Sequence, residues 1–132
     1  MSRCEDHEKQ FHVHEFLGST RLAERGSDDV HNHRFAGGTG EAIRKGNSHV
    51  HRIKTKTDFF DHYHIIDVCT GPAIPVGEGR HVHFVYAVTK CEDGHRHEFI
   101  VATLINSPTF EEKRCWYKRA VLILLFKNLF YW

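Results

Sequence analysis

The sequence carries almost no net charge: 18 lysines and arginines against 17 aspartates and glutamates leave +1 with histidine neutral. A basic field that would recruit nucleic acid is therefore missing, and so is an acidic field for storing cations. Cysteine is sparse. Cys4, Cys69, Cys91 and Cys115 stand far apart with no C-x-x-C spacing, which argues against a disulfide framework and for a reduced, cytoplasmic setting. The opening residues, MSRCEDHEK, are polar and mixed in charge, without the apolar stretch of a secretory signal. The common catalytic words are absent too: no H-E-x-x-H, no phosphate loop, no nucleophile elbow. A cupin's glutamate and glycine-rich frame after H-x-H are equally missing. The 132 residues suit one domain with a real core.

What the sequence has is histidine, and it has it in a pattern. HVHEFLGST (12–20) returns as HNHRFAGGT (31–39), HVHRIKTKT (49–57), HYHIIDVCT (62–70), HVHFVYAVT (81–89) and HRHEFIVAT (95–103). A longer repeat lies above these units, since TGEAIRKGNSHVHRI (39–53) recurs as TGPAIPVGEGRHVHFV (70–85). The six units therefore pair as three hairpin repeats.

A strand period of two puts positions 1, 3, 5, 7 and 9 of each unit on one face. That face reads His, His, apolar, mostly small, Thr. Position 5 is Phe16, Phe35, Ile53, Ile66, Val85 and Phe99; position 9 is Thr20, Thr39, Thr57, Thr70, Thr89 and Thr103. The other face varies freely, as expected of an antiparallel sheet buried on one side. Linkers of four to ten residues favour hairpins over crossovers. The expected fold is all-β: a six-stranded antiparallel meander closed as a small barrel over residues 1–108, followed by an apolar C-terminal segment. Near-symmetric register would set the position-3 histidine level with position 7 of its neighbour and the position-1 histidine level with threonine. A threonine hydroxyl or a nearby carbonyl would then accept the imidazole's second N–H.

Antiparallel order sorts the histidines into two sets. His12, His14, His49, His51, His81 and His83 belong at one end of the sheet, and His31, His33, His62, His64, His95 and His97 at the other. One H-x-H is usually a pair of solvated imidazoles. Twelve buried ones would each need partners, at about 1–3 kcal/mol per unmet group, and a metal ion satisfies a whole cluster. All-imidazole ligation suits transition metals, zinc, iron or nickel, held as a structural brace or handled as cargo. Six ligands imply octahedral Fe(II) or Ni(II), three or four a tetrahedral zinc. Solvated or pH-sensing histidines are the bland alternative. A metalloenzyme with an open three-histidine site is another, with Asp58, Asp61 and Asp93 as candidate bases, although residues so placed are more often turn formers.

HVHEF, HNHRFAG, TGEAI, SHVH, TDFFDH, TGPAIPVG, HVHF and ATLI, in order across residues 12 to about 108, resemble the YmaF family of small histidine-rich bacterial proteins. The resemblance implies one small domain and histidines acting as a unit, and it implies no reaction. A looser similarity, resting on H-x-H alone, is to viral tail fibres in which three chains surround octahedral iron; it suggests a metal-rigidified assembly module.

After Pro108 the composition changes. The segment 109–132 holds no histidine and contains AVLILLF, too short to span a membrane. It is expected to cover the apolar outer face of Val82, Phe84, Tyr86 and Val88, or to lie on a membrane surface. Residues 82–88 or this tail also offer a homo-oligomer contact.

Overall fold

In a computed structural model the described residues are 12–24 and 26–107, so the expectations for segment 109–132 fall outside them. The described chain is strands and turns without a helix: β1 Val13–Ser19, β2 Arg34–Gly38, β3 Ile43–Lys45, β4 Ser48–Val50, β5 Arg52–Lys56, β6 Ile65–Cys69, β7 Ala73–Gly77, β8 Arg80–Val88, β9 Glu98–Ala102 and β10 Asn106–Ser107. All pairing is antiparallel. The repeated units form three hairpins, β1/β2, β5/β6 and the inner part of β8 with β9.

Two of the linkers are hairpins as well. GEAIRKGNS builds β3/β4 around Gly46 (φ 60°), and GPAIPVGEGR builds β7/β8 through Glu78 and Gly79 (φ 55° and 73°). The short β10 takes the third equivalent place, pairing Ser107 with Val13 at the start of β1.

The period-two face is buried as expected, but the register differs by two residues. Phe16 lies opposite Gly37 and Gly18 opposite Phe35; Ile53 faces Val68, and Val85 faces Val101. Position 5 therefore sits level with position 7, which leaves position 3 level with the threonine at position 9. Bulk explains this choice. A Cβ on Gly18 would come 2.9 Å from the Phe35 ring, and one on Gly37 3.0 Å from the Phe16 ring, so the glycines are where the two phenyl rings fit. The core of Phe16, Phe35, Ile53, Ile66, Val85, Phe99 and Val101 forms a plug midway along the hairpins.

A continuous barrel ladder is not formed; the described strands fall into separate sheets of two or three strands. Neighbouring hairpins instead meet through single backbone bonds from the residue after each threonine. At one end Gly40 N–H donates to Arg52 O, Gly71 to Phe84 O and Leu104 to Glu15 O, over 2.9–3.0 Å; at the other Asp58 donates to Arg34 O, Lys90 to Ile65 O and Arg21 to Glu98 O, each at 2.8 Å. Two-stranded ribbons twist more strongly than wide sheets, which confines their mutual pairing to the ends. Cys69, at the end of β6, is disulfide-bonded, contrary to the expectation of unpaired thiols. Cys91 is free and exposed.

Candidate metal centre

The position-3 histidines, His14, His33, His51, His64, His83 and His97, are all buried, with at most 1% of their surface exposed. Each is held twice. Its backbone N–H donates to the threonine hydroxyl of its own hairpin: His14 to Thr39, His33 to Thr20, His51 to Thr70, His64 to Thr57, His83 to Thr103 and His97 to Thr89, over 2.9–3.1 Å. Its ring Nδ1–H donates to the carbonyl that follows the threonine of the next hairpin. At one end those acceptors are Leu104 for His14, Gly40 for His51 and Gly71 for His83, over 2.8–2.9 Å. At the other they are Asp58 for His33, Lys90 for His64 and Arg21 for His97, over 2.9–3.2 Å. Of the two acceptors considered for the second N–H, the carbonyl is therefore the nearer. Thr39, Thr70 and Thr103 stand 3.3 Å from the same nitrogens.

A carbonyl can only accept, so each Nδ1 carries the proton and each Nε2 of a neutral ring keeps its lone pair. Those Nε2 atoms converge. In the first set His12 and His49 approach to 3.3 Å, His14 and His81 to 3.1 Å, His49 and His81 to 3.1 Å, and His83 and His49 to 3.2 Å. In the second, His31 and His95 stand at 3.1 Å, His33 and His62 at 3.3 Å, His64 and His95 at 3.2 Å, and His95 and His97 at 3.1 Å. The structure thus brings together the two sets of six expected from strand order, one at each end of the plug.

Within each set the rings are arranged as an octahedron. In the first, every pair of rings meets edge-to-face at 4.5–5.3 Å except His12–His83, His14–His49 and His51–His81. In the second, the exceptions are His31–His64, His33–His95 and His62–His97. Three separate non-touching pairs among six points are the three diagonals of an octahedron. Each diagonal joins a position-1 to a position-3 histidine, so the inner three occupy one face and the outer three the opposite face. An octahedron with 3.1–3.3 Å edges has its centre about 2.2–2.3 Å from each nitrogen, close to the ~2.0–2.1 Å of a zinc–imidazole bond. His51 Nε2 is buried with no hydrogen-bond partner, which leaves a buried lone pair aimed at that centre.

Protonation agrees with ligation. Burial is the largest cause holding His51 and His83 down to about 3 and His81 and His97 down to about 4, with the neighbouring imidazoles adding to it. His14, His33, His49 and His64 are lowered for the same leading reason. These eight rings are neutral at pH 7 and hence able to bind a cation.

The aspartates considered as bases have other positions. Asp58 Oδ1 lies 3.3 Å from His33 Nδ1 and Asp93 Oδ2 lies 3.6 Å from His62 Nδ1, on the outer side of the rings and away from the centre. Asp61 is a turn residue at φ 72°. Glu24, which sequence reasoning passed over, reaches His95 Nδ1 at 2.8 Å; it lies in a linker without any motif to mark it. Among the described residues no helix is long and apolar enough to cross a membrane.

A family model described as YmaF, spore germination protein GerY/YamF, matches residues 9–105. No curated protein and no solved structure matches the chain.

Proposed function

Given that this chain belongs to the YmaF family, we propose that it is a transition-metal-binding protein in which each of two six-imidazole clusters saturates one octahedral divalent ion, and that the ions brace the fold. The observation that carries this reading is the octahedral layout of Nε2 lone pairs, with the inner three of each cluster oriented by carbonyls. Hexa-imidazole ligation suits Fe(II) or Ni(II) best, with zinc as the runner-up. Each ion would join all three hairpins, because every hairpin contributes one H-x-H to each cluster. Six protein donors leave no position for water or substrate, which favours a brace over a metalloenzyme. In a family described by spore germination, such a brace fits a structural module better than a catalyst.

The test is elemental analysis of the untagged, dialysed protein, with melting temperature measured before and after chelation. Two tightly held equivalents of iron or nickel, and a melting temperature that falls on chelation, are the expected results. Metal-free protein that melts identically with and without added ions would sink the proposal and leave a polar, pH-responsive core.

A further inference from the structure

The two clusters share their first ring of ligands but not what surrounds it. In the set built on His31, His33, His62, His64, His95 and His97, each strand's H-x-H pair has a carboxylate on one of its imidazoles. Asp58 stands on His33, Asp93 on His62 and Glu24 on His95, at 3.3, 3.6 and 2.8 Å. All three approach Nδ1, the nitrogen turned away from the convergence point. The same end opens into a cavity of 240 Å³ lined by Glu24, Asp28, Asp29, His31, His62 and Asp93 among others. Among the described residues no carboxylate pairs with an imidazole of the set built on His12, His14, His49, His51, His81 and His83. There the backbone N–H of His81 donates to Asn106 Oδ1 at 3.1 Å, Arg44 lies opposite His49 across β3/β4, and Glu15 acts on His14 only through space, as the smallest of the influences on that ring.

We propose that the two sites are unequal, with the carboxylate-backed cluster of His31, His33, His62, His64, His95 and His97 taking its ion first and more tightly, and with Glu24 and Asp93 as the positioning residues that make the difference. This rests on the metal-binding reading and extends it. Three physical effects point the same way. Asp58 Oδ1 accepts from His33 Nδ1 at 3.3 Å, which makes that ring's Nε2 a stronger donor and helps fix it. Glu24 and Asp93 act on His95 and His62 as nearby charges, His95 Nδ1 donating to Asp93 O at 3.1 Å and His62 Nδ1 having no hydrogen-bond partner. Six neutral imidazoles leave the full charge of the ion uncompensated, and three close carboxylates offset it at this end, against the weaker, through-space influence of Glu15 on His14 at the other. An acidic mouth also concentrates cations at its own entrance and speeds loading there. The opposite cluster is buried to the same degree, so the difference in surrounding charge is what separates the two.

The experiment is a Ni(II) titration of the full-length, metal-stripped chain against a competing chelator, repeated as stepwise chelator extraction from the loaded chain. The second format keeps the starting state folded. Two resolved binding steps are expected. Glu24→Gln with Asp93→Asn should weaken the tighter step by about 10-fold through the loss of two nearby charges and leave the weaker step unchanged. Both carboxylates are partly exposed at the surface (30% and 62%), so the variant should keep its fold, checked by circular dichroism. To assign the steps, His31→Ala with His62→Ala should remove the tighter one, and His49→Ala with His81→Ala the weaker one. Two equal steps that ignore the carboxylate changes would overturn this inference alone, as would loss of the tighter step in the His49/His81 variant. No Ni(II) uptake by the unaltered chain would overturn both it and the metal-binding reading.

Discussion

Thr70 illustrates how a single side chain serves the site without being a ligand. Its hydroxyl accepts from His51 N–H at 3.0 Å and donates to Gly71 O at 2.8 Å, and that carbonyl in turn accepts from His83 Nδ1 at 2.8 Å. Thr70→Val is nearly isosteric but strands a buried N–H, which costs about 1–3 kcal/mol. Equilibrium denaturation should register that loss, and a neutral result would mean that the hydroxyl is dispensable to the histidine's placement. The glycines are constrained by bulk. Gly37→Ala places a methyl 3.0 Å from the Phe16 ring and should destabilise by about 1–3 kcal/mol through overpacking, whereas Gly38→Ala, with open space around it, should stay close to wild type. Denaturation midpoints of the two variants separate packing from a general intolerance of the strand.

Each hairpin is an element that depends on its neighbours. The β5/β6 hairpin carries His51 and His64 immediately before its two strands, at opposite ends of the plug, so every hairpin serves both clusters. H-x-H, the apolar fifth position and the terminal threonine were readable as one face because a strand's period of two is a covalent fact. The register was not readable. A slip of two residues keeps every side chain on its own face and changes only its level, and both candidate partners of position 3 were small enough to suit it. The carbonyls that orient the rings left no trace either. Leu104, Arg21, Gly40, Asp58, Gly71 and Lys90 share no chemistry but a backbone oxygen, which every residue has.

For the molecule as a whole, the buried imidazoles set a pH dependence. Their folded values lie below the ordinary 6.5, down to about 3 for His51 and His83 and about 4 for His81 and His97. Between those values and 6.5 the unfolded chain binds more protons than the folded one, so stability rises with pH across that interval. It is fully present above about 6.5 and is lost progressively as pH falls toward 3. Metal-free protein should therefore melt at steadily lower temperature from pH 7 to pH 4, and bound metal, which competes with the same protons, should be released over this range. A flat melting temperature across the interval would mean that the rings are not buried neutral.

Strand, face and the division of the histidines into two sets of six followed from the order of residues alone, because alternation along a strand and reversal at a hairpin are local rules. The choice between barrel and separate hairpins did not follow, since hydrogen bonding between neighbouring ribbons depends on their twist and on where they meet. Nor did the octahedral arrangement of the rings or the unequal surroundings of the two clusters. Those arise when three hairpins pack about one axis and bring Glu24 beside His95 and Asp93 beside His62, contacts between segments whose spacing in sequence carries no periodic signal.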